Sequence, residues 1–311
     1  MDPASGIPVL VIFGPTASGK TALAERLFTG DGPFSGKAGI VSADSMQVYR
    51  GMDIGTAKPS REFLAKLPHA LIDLRDPDEA FGVGDFVPLA DEACSRFMAD
   101  GRIPVLLGGT GFYIRNFIFG LPETPPSDGK VRRELQNRCR EEGLESLRRE
   151  LAERDAESAA RIHPNDEYRI IRALEVLATS GRSQSDFRVP IRARDGYRFL
   201  VLSLERARDE LYRRIDLRVD EMFREGLAGE VEGLVRSGYG PECPGLRAIG
   251  YREFFMAGTA GAAEIADLIK ANTRKYAKRQ ETYVRSIPGV RPVGADDIQS
   301  ISSMLADFLS T

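Results

Sequence analysis

The segment at residues 14–21, GPTASGKT, constrains the fold of this chain more than any other feature. It matches the pattern G-x-x-x-x-G-K-[ST], and it lies between an apolar run, VLVIF at residues 9–13, and a segment with helical spacing at residues 21–27. In this setting, backbone N–H groups and the N-terminus of a helix point at a bound phosphate. Lys20 adds a positive charge, and Thr21 offers a hydroxyl group to Mg²⁺. The sequence therefore predicts a strand, a loop that binds phosphate and a helix, in that order.

Further apolar runs predict a parallel sheet around this loop. The predicted strands are at residues 40–43, 71–74, 105–107 and 199–204. Residues 86–98 have the spacing of a helix. Because the runs are apolar throughout and alternate with helices, we expect strands that are buried on both faces. The predicted fold is α/β, with a P-loop parallel sheet core flanked by helices and an inserted all-helical subdomain.

The insertion is predicted from a change in composition. Residues 122–129, PETPPSDG, are rich in turn-forming residues, and the charged segment at 130–181 has leucines at helical spacing. Asp155 is expected to start a helix, and Gly143 and Gly181 are expected to end helices. We therefore predict a first part of the core at residues 1–121, a helical insertion at 122–196, and the rest of the core with C-terminal helices at 197–311.

Composition excludes several classes of protein. The 43 basic and 46 acidic residues give a net charge of −3, which argues against non-specific coating of DNA but allows a local basic face that binds RNA. The three cysteines are far apart, so neither a zinc site nor a disulfide framework is expected. No apolar run approaches the roughly 20 residues of a membrane span, and residues 1–8 lack the pattern of a signal peptide. We expect a cytoplasmic monomer that does not bind membranes.

Two segments that follow predicted strands carry candidate catalytic side chains. Asp44 ends the run at residues 40–43, and Thr110 lies in GGTGFY after the run at 105–107. Because ligands of such sheets bind outside the carboxyl ends of the strands, both residues are expected to face the same crevice as Lys20. A carboxylate there could accept a proton from a nucleophile or help to hold Mg²⁺, or it could cap a turn. An ordinary strand-to-helix turn is the alternative for GGTGFY.

A basic segment lies near the C-terminus. Six basic residues stand against one acid between residues 270 and 285, and they are Lys270, Arg274, Lys275, Lys278, Arg279 and Arg285. Lys270, Arg274 and Lys278 are at a helical spacing of four. Lys275 and Arg279 have the same spacing on the adjacent face of the helix. Such a face suits a phosphate backbone, and a solvated helix face is the alternative.

Several motifs together resemble the bacterial tRNA dimethylallyltransferases, also called tRNA isopentenyltransferases. The most distinctive of them is VSADSMQVYRGMDIGTAKP at residues 41–59, between GPTASGKT and GGTGFY. The others are HALIDLRDP at 69–77, RIHPNDEYRIIRALEV at 161–176, RAIGYRE at 247–253 and KRQETYVR at 278–285. The similarity extends from about residue 8 to about residue 290.

The resemblance implies that the phosphate loop binds the diphosphate of dimethylallyl diphosphate with Mg²⁺, rather than a nucleotide. The loop residues are Gly14, Pro15, Thr16, Ala17, Ser18, Gly19, Lys20 and Thr21, of which Thr21 is the implied metal ligand. Asp44 corresponds to the general base that takes a proton from the exocyclic amine of the target adenosine, and Thr110 contacts the substrates. Either Arg214 or Arg218 assists the leaving diphosphate.

The resemblance also implies a second substrate, the anticodon stem-loop of tRNA. The implied tRNA-binding residues are Asp44, Ser45, Met46, Gln47, Arg132, Tyr168, Arg169, Arg172, Arg247, Gly250, Tyr251, Arg252, Lys275, Lys278, Arg279 and Gln280. Residues 44–47 match the part that reads the flipped-out base, and the helical insertion would lie against the anticodon arm. The implied reaction transfers a dimethylallyl group to the exocyclic amine of an adenosine adjacent to the anticodon and releases diphosphate.

Three other functions stay open on the sequence alone. An adenylate isopentenyltransferase would prenylate free AMP, a P-loop small-molecule kinase would use ATP at the same loop, and an RNA-binding protein would catalyse nothing. The helical insertion and the basic segment favour tRNA over AMP, since a free nucleotide needs neither. The complete phosphate loop together with Asp44 argues against a protein that only binds RNA.

Overall fold

A computed structural model of the chain describes residues 6–187, 190–258 and 260–311. The chain divides into two compact units, one formed by Met1–Ile118 with Arg194–Thr311 and the other by Phe119–Ala193. Residues 1–5, at which no signal peptide is expected, lie outside the described residues, as do residues 188–189 of the predicted insertion.

The first unit consists of a sheet with helices before, between and after its strands. Its elements are β1 (Ile7–Phe13), α1 (Lys20–Phe28), β2 (Ala38–Ser42), α2 (Arg61–Lys66), β3 (His69–Ala70), α3 (Val83–Ala99), β4 (Ile103–Gly108), α4 (Gly111–Phe119, which ends at the boundary), and, after the second unit, β5 (Tyr197–Glu205). The helices α9 (Arg208–Glu225), α10 (Leu227–Arg236), α11 (Arg252–Met256) and α12 (Ala262–Val284), the strand β6 (Arg291–Gly294) and the helix α13 (Ile298–Ser310) complete it.

All six strands are parallel, in the order β3-β2-β4-β1-β5-β6. The α/β fold class predicted from the apolar runs is confirmed. Ala38 and Ile40 of β2 belong to a core that includes residues of α1 and α13, whereas the intervening Gly39 lies under the ring of Phe97 from α3. Because successive residues of a strand point to opposite faces, helices cover the sheet on both sides.

The register of the central strands brings three strand ends together. Phe13, the last residue of β1, pairs with Gly108 at the end of β4, and Ser42 at the end of β2 pairs with Leu107. The loops that follow these strands therefore leave the sheet at one edge. This edge is where ligands of parallel α/β sheets bind.

The predicted strand at residues 71–74 is wrong. The strand is His69–Ala70, and it ends because Leu71 and Asp73 adopt the left-handed region, with φ values of 66° and 55°. The segment after the strand is held by other contacts, since the Asp73 N–H donates to the carbonyl oxygen of Gln47. Strand β6 is not predicted from sequence, because its RPVG segment contains no apolar run.

A second hydrophobic core joins α9, α10, α11 and α12 to the loop after β2. It contains fully buried Tyr49, Met52 and Tyr251 together with Val219 and Ile269. This core fixes two helices, α9 and α12, beside the strand ends.

The second unit is built from α5 (Gly129–Glu142), α6 (Leu144–Arg154), α7 (Ala156–Arg161) and α8 (Glu167–Ser180) around buried leucine and isoleucine side chains. The predicted helix boundaries are confirmed. Asp155 caps α7 by accepting a hydrogen bond from the backbone N–H of Ser158, and α5 and α8 end at Gly143 and Gly181. Within the described residues of the whole chain, no helix is both long and apolar enough to cross a membrane.

Candidate active site

The phosphate loop encloses the side chain of Lys20. The Lys20 ammonium group donates hydrogen bonds to the carbonyl oxygens of Gly14 and Pro15, at 2.9 and 2.8 Å. Gly19, just before α1, has a φ of 102°, in the left-handed region that glycine adopts without strain. Burial, and after it the positive charge of Arg218, lower the pKa of Lys20 to about 7. A positive charge held in this way is stabilised by an anion, so the loop is suited to phosphate.

Three arginines from the segment after β5 surround this loop. Arg206 Nε donates to the carbonyl oxygen of Ser18 at 2.7 Å, and Arg214 Nε donates to that of Ala17 at 2.8 Å. Arg218 lies one turn further along α9, and both Arg214 and Arg218 line the cavity described below. The sequence left these two arginines as alternatives, and the structure brings both to the loop. The contact from Arg206 is not predicted from sequence.

Gln280 of α12 connects two of the strand-end loops. Its side-chain oxygen accepts a hydrogen bond from the Thr16 N–H at 2.9 Å, and its amide nitrogen donates to the carbonyl oxygen of Gly109 at 2.7 Å. A side chain at Gly109 would collide with this amide. The resemblance implies that Gln280 contacts tRNA, but its side chain is buried and holds the phosphate loop against the loop after β4.

Asp44 lies at the carboxyl end of β2. Its Oδ1 accepts hydrogen bonds from the N–H groups of Met46 and Gln47, at 2.9 and 3.4 Å, so the carboxylate caps the turn that follows the strand. The same side chain lines a cavity together with Lys20 and Arg218. The two interpretations of Asp44 from the sequence are therefore compatible, because capping fixes the carboxylate where it faces the cavity.

Tyr276 is a residue of this site that is not predicted from sequence. Its hydroxyl group forms hydrogen bonds with the side chains of Thr110 and Gln280. Burial, and after it the negative charge of Asp44, raise the pKa of Tyr276 to about 12, so the phenol stays protonated. Thr110 in turn accepts a hydrogen bond from the Ser45 N–H at 3.1 Å. The only sign of Tyr276 in the sequence is its position one helical turn before Gln280, within the basic segment at residues 270–285.

Two cavities adjoin at these residues. The first has a volume of about 470 Å³ and is lined by Thr16, Ala17, Gly19, Lys20, Thr21, Ala22, Asp44, Gln47, Ala57, Gly109, Arg214, Leu217, Arg218, Tyr276 and Gln280. The second, of about 280 Å³, is lined on one side by Ser45, Met46, Gly55 and Thr56 and on the other by residues of α9, α12 and the segment before α11. Thr16, Asp44, Arg218 and Tyr276 line both cavities. A phosphate-binding loop and a carboxylate thus meet at the boundary between two spaces.

The residues implied in tRNA binding are divided among several surfaces of the first unit. Six of them line the second cavity: Asp44, Ser45, Met46, Gly250, Arg252 and Arg279. Four are exposed on the surface: Arg247, Lys275, Lys278 and Arg279, the last of which also borders the second cavity. Tyr251 is fully buried, and its hydroxyl group donates a hydrogen bond to Glu230 at 2.6 Å. A phenol buried in this way cannot contact RNA without a rearrangement of the core.

One row of the basic segment is paired within the protein. Lys270 lies 2.6 Å from a carboxylate oxygen of Asp220, and Arg274 lies 2.6 Å from one of Asp216. Both acids belong to α9, so these two basic residues join α12 to α9 rather than forming a free row with Lys278. The RNA-binding face that the helical spacing predicts is therefore smaller than expected.

The remaining predicted residues belong to the second unit. The guanidinium group of Arg132 lies 4.6 Å from the ring centre of Tyr168, whose side chain is exposed. Arg169 forms an ion pair with Asp166, and Arg172 donates to the buried carboxylate of Glu175 at 2.9 Å. Tyr168 and Arg169 are therefore the accessible residues of this group, whereas Arg132 and Arg172 both face the buried carboxylate of Glu175 within the unit.

Neither cavity is lined by a cysteine or a histidine among the residues that the structure describes. The three cysteines are free thiols, and burial raises the pKa of Cys94 to about 12. Among the described residues, no cluster of three or more His, Cys, Asp or Glu side chains could hold a metal ion. A divalent cation at the phosphate loop would need ligands from the bound phosphate itself.

Comparison with known proteins identifies the family. A family model described as IPP transferase matches residues 47–287. A tRNA dimethylallyltransferase of Geobacter sulfurreducens is 45% identical over 301 residues, which cover 94% of this chain and 95% of that protein. A second, from Geobacter metallireducens, is 48% identical over 280 residues, or 89% of each protein.

Solved structures agree with these matches. The full-length tRNA isopentenylpyrophosphate transferase of Bacillus halodurans is 37% identical, with a TM-score of 0.68, over 98% of this chain and 97% of that one. A eukaryotic dimethylallyltransferase acting on tRNA is 25% identical, with a TM-score of 0.80, over 97% of this chain and 79% of that one. The resemblance in the motifs is confirmed, and this chain belongs to the IPP transferase family.

Proposed function

We propose that this protein is a tRNA dimethylallyltransferase, which transfers a dimethylallyl group from dimethylallyl diphosphate to the exocyclic amine of an adenosine adjacent to the anticodon. The observation that carries the proposal is the position of Asp44, which lines both the cavity at the phosphate loop and the adjoining one. Two substrates that enter from opposite sides would meet at this carboxylate. The names of the relatives, at 45% and 48% identity, support the same activity.

The first cavity is proposed to bind the diphosphate. Its walls carry the N–H groups of the phosphate loop, the N-terminus of α1, and the positive side chains of Lys20, Arg214 and Arg218. Negative charge grows on the diphosphate as it leaves, and fixed positive groups stabilise that charge more than they stabilise the bound substrate. Both arginines are close enough to the loop to take part, so we assign the leaving group to them jointly.

The donor atoms of this cavity fit Mg²⁺. The Thr21 hydroxyl and the Asp44 carboxylate are hard oxygen ligands in one cavity, and Mg²⁺ is commonly bound by one or two such groups together with substrate phosphates and water. When bound, Mg²⁺ would neutralise part of the charge of the diphosphate. We propose Thr21 as its protein ligand.

The transfer needs one proton acceptor and no covalent enzyme intermediate. The adenosine amine nitrogen attacks the allylic carbon, the bond from that carbon to the diphosphate oxygen breaks, and the amine proton passes to the carboxylate of Asp44. Holding both reactants in adjoining cavities supplies proximity, which is worth about 7–11 kcal/mol at best. A positioned general base adds a factor of roughly 10² to 10⁴. Tyr276 remains a neutral donor beside Asp44 and orients Thr110 at the same junction.

The second cavity and the exposed basic residues are proposed to bind the RNA. An adenine must leave its stack to reach a cavity between helices, and Ser45 and Met46 line the space that would receive it. Lys275 and Lys278 are exposed on α12, where they can contact phosphates. The exposed ring of Tyr168, against which the half-buried guanidinium group of Arg132 packs, offers a stacking surface in the second unit.

One incubation tests this function against its rivals. Unmodified tRNA and dimethylallyl diphosphate are incubated with the protein and Mg²⁺, and the digested nucleosides are analysed by mass spectrometry. We expect one adenosine per tRNA to gain a dimethylallyl group in place of one hydrogen. Parallel reactions use AMP as the acceptor, or ATP with candidate phosphate acceptors. Prenylated AMP without modified tRNA, or consumption of ATP, would contradict the proposal.

We further propose that the protein acts as a monomer in the cytoplasm. The free state of all three cysteines supports a reducing compartment. Light scattering at micromolar concentration tests the oligomeric state, and a mass of twice 34.2 kDa would contradict it.

A further inference from the structure

The loop at residues 53–57 accepts hydrogen bonds from two side chains in the site. Gln47 Nε2 donates to the carbonyl oxygens of Thr56 and Ala57, at 3.5 and 3.3 Å, and Arg218 donates to that of Thr56 at 3.4 Å. The other end of the Gln47 amide is bonded to the hydroxyl of Ser42 at 3.1 Å. Residues of the loop also line both cavities. The loop therefore contacts both Gln47 and Arg218, which line the first cavity.

The backbone N–H groups of this loop converge on a single carboxylate. Glu230 of α10 accepts hydrogen bonds from the N–H groups of Asp53, Ile54 and Gly55, at 2.9, 2.8 and 3.2 Å. Tyr251 donates a fourth hydrogen bond to the same carboxylate, at 2.6 Å. Hydrogen bonds to an ionised acceptor are stronger than those between neutral groups. Glu230 itself lines neither cavity, so its contact with the site is made through the loop.

The loop is closely packed and strained at this point of contact. A side chain at Gly55 would lie 2.5 Å from the ring of Tyr251, and Ala57 adopts a left-handed backbone with a φ of 46°. A non-glycine residue in that region is strained and is kept there by its surroundings. Loss of the Glu230 contacts would therefore release the loop towards less strained conformations.

We propose that Glu230, supported by Tyr251, is a positioning residue that holds the loop at residues 53–57 and thereby orients Gln47 and Arg218 for the transfer. The proposal rests on the function proposed above and assigns to that reaction a residue outside both cavities. The phosphate loop has its own supports in Gln280 and Arg206, which do not touch this segment. Lys20, Arg214 and the N–H groups of the phosphate loop keep their supports without Glu230, whereas Arg218 acts mainly on the charge that grows as the diphosphate leaves. Loss of Glu230 should therefore affect the transfer more than the binding of dimethylallyl diphosphate.

The test compares Glu230→Gln and Tyr251→Phe with a matched control, Glu232→Gln. Glu232 lies on the same helix and is exposed. For each protein, kcat is measured per site that binds inorganic pyrophosphate, so that an unfolded fraction does not count as lost activity. We expect Glu230→Gln to lower kcat at least tenfold with the KM for dimethylallyl diphosphate changed less than twofold. Tyr251→Phe should have a smaller effect in the same direction, and the control should match the unmodified protein.

Two further readouts separate positioning from general destabilisation. Deuterium exchange should be at least tenfold faster in Glu230→Gln for the peptide that contains residues 53–57, and unchanged for the peptide that contains residues 14–21. In a double-mutant cycle with Gln47→Ala, the two losses of kcat should be less than multiplicative, because Glu230 acts through Gln47. Multiplicative losses would overturn the inference.

The outcomes also distinguish this inference from the proposed function. If the unmodified protein transfers no dimethylallyl group to tRNA, the function and the inference that rests on it both fail. If the unmodified protein and the control are active, and Glu230→Gln and Tyr251→Phe match them in kcat and in deuterium exchange, only the inference fails. Should Glu230→Gln not fold, Tyr251→Phe keeps the carboxylate and carries the test alone.

Discussion

Replacement of Lys275 and Lys278 by alanine tests how the protein binds tRNA. Both side chains are exposed on α12, whereas Lys270 on the same helix is paired with Asp220 at 2.6 Å. An exposed lysine that neutralises an RNA phosphate releases a condensed counterion, and binding then weakens as salt rises. A lysine already paired within the protein releases none. We therefore expect the two exposed lysines to contribute to the salt dependence of binding and Lys270 not to contribute.

The size of the effect follows from the number of contacts. Each phosphate contact contributes about 0.7 to 0.9 to the slope of log affinity against log salt, so two contacts contribute about 1.4 to 1.8. Between about 50 and 200 mM salt, a fourfold range, the unmodified protein should then lose roughly 7- to 12-fold more affinity than the double variant. At low salt the double variant should bind more weakly, and the two curves should converge as salt rises.

Fluorescence anisotropy of a labelled anticodon stem-loop, titrated at five or more salt concentrations, measures these slopes. Lys270→Ala serves as the matched control, because it removes the same charge from the same helix. We expect its slope to equal that of the unmodified protein. An unchanged slope in the double variant would show that this face does not touch RNA. Equal changes in the control and the double variant would show that ion pairing within the protein does not decide which lysines bind.

Three other substitutions or conditions have defined outcomes. Asp44→Ala should lower turnover by roughly 10² to 10⁴ while tRNA affinity is nearly kept, since it removes the proposed base; unchanged turnover in a stopped assay would remove Asp44 from the mechanism. The pKa of Lys20 is lowered to about 7 in the free protein, and a bound diphosphate would raise it. Binding of the diphosphate should therefore take up about one proton at pH 8 and little at pH 6. For the same reason, the affinity for the diphosphate should fall as pH rises above 7. Calorimetry in buffers of different ionisation enthalpy counts these protons, and equal uptake at both pH values would refute the assignment. Asp91 accepts two hydrogen bonds from Arg194, at 2.9 and 2.7 Å. Asp91→Ala should therefore lower the free energy of unfolding, measured by urea denaturation, by about 1 to 3 kcal/mol. The control Glu92→Ala, at an exposed position of the same helix, should change it by less than about 0.5 kcal/mol. A loss no larger than that of the control would contradict the stabilising role of this pair.

The sequence predicts those parts of the site whose position depends on residues close to them along the chain. The loop at residues 14–21 and the carboxylate of Asp44 each follow an apolar strand, and the parallel arrangement of strands places both at one edge. Tyr276 and Gln280 depend instead on the packing of α12 against loops from the start of the chain. The Thr16 N–H and the Gln280 side chain that accepts its hydrogen bond are 264 positions apart. No pattern of spacing predicts a contact of that range.

The errors in the fold have similar causes. The segment at residues 71–74 is apolar enough for a strand, but Leu71 and Asp73 have left-handed backbones, which a periodicity of side chains does not reveal. Strand β6 lacks the apolar run, and it forms because β5 offers a free edge to which its backbone pairs. In both cases the contacts with the rest of the chain outweigh local preference.

Helix α12 shows why the net charge of −3 says little about RNA binding. Residues 270–285 carry six basic side chains and one acid, yet Asp216 and Asp220 of α9 neutralise part of that charge through ion pairs with Arg274 and Lys270. These acids lower the total charge but form no ion pair with exposed Lys275 or Lys278. Because the Debye length at physiological salt is about 8 Å, an RNA phosphate responds to the charges next to it rather than to the sum over the molecule. The quantity that matters for this protein is therefore the set of basic side chains left exposed after internal pairing, and only the fold determines that set.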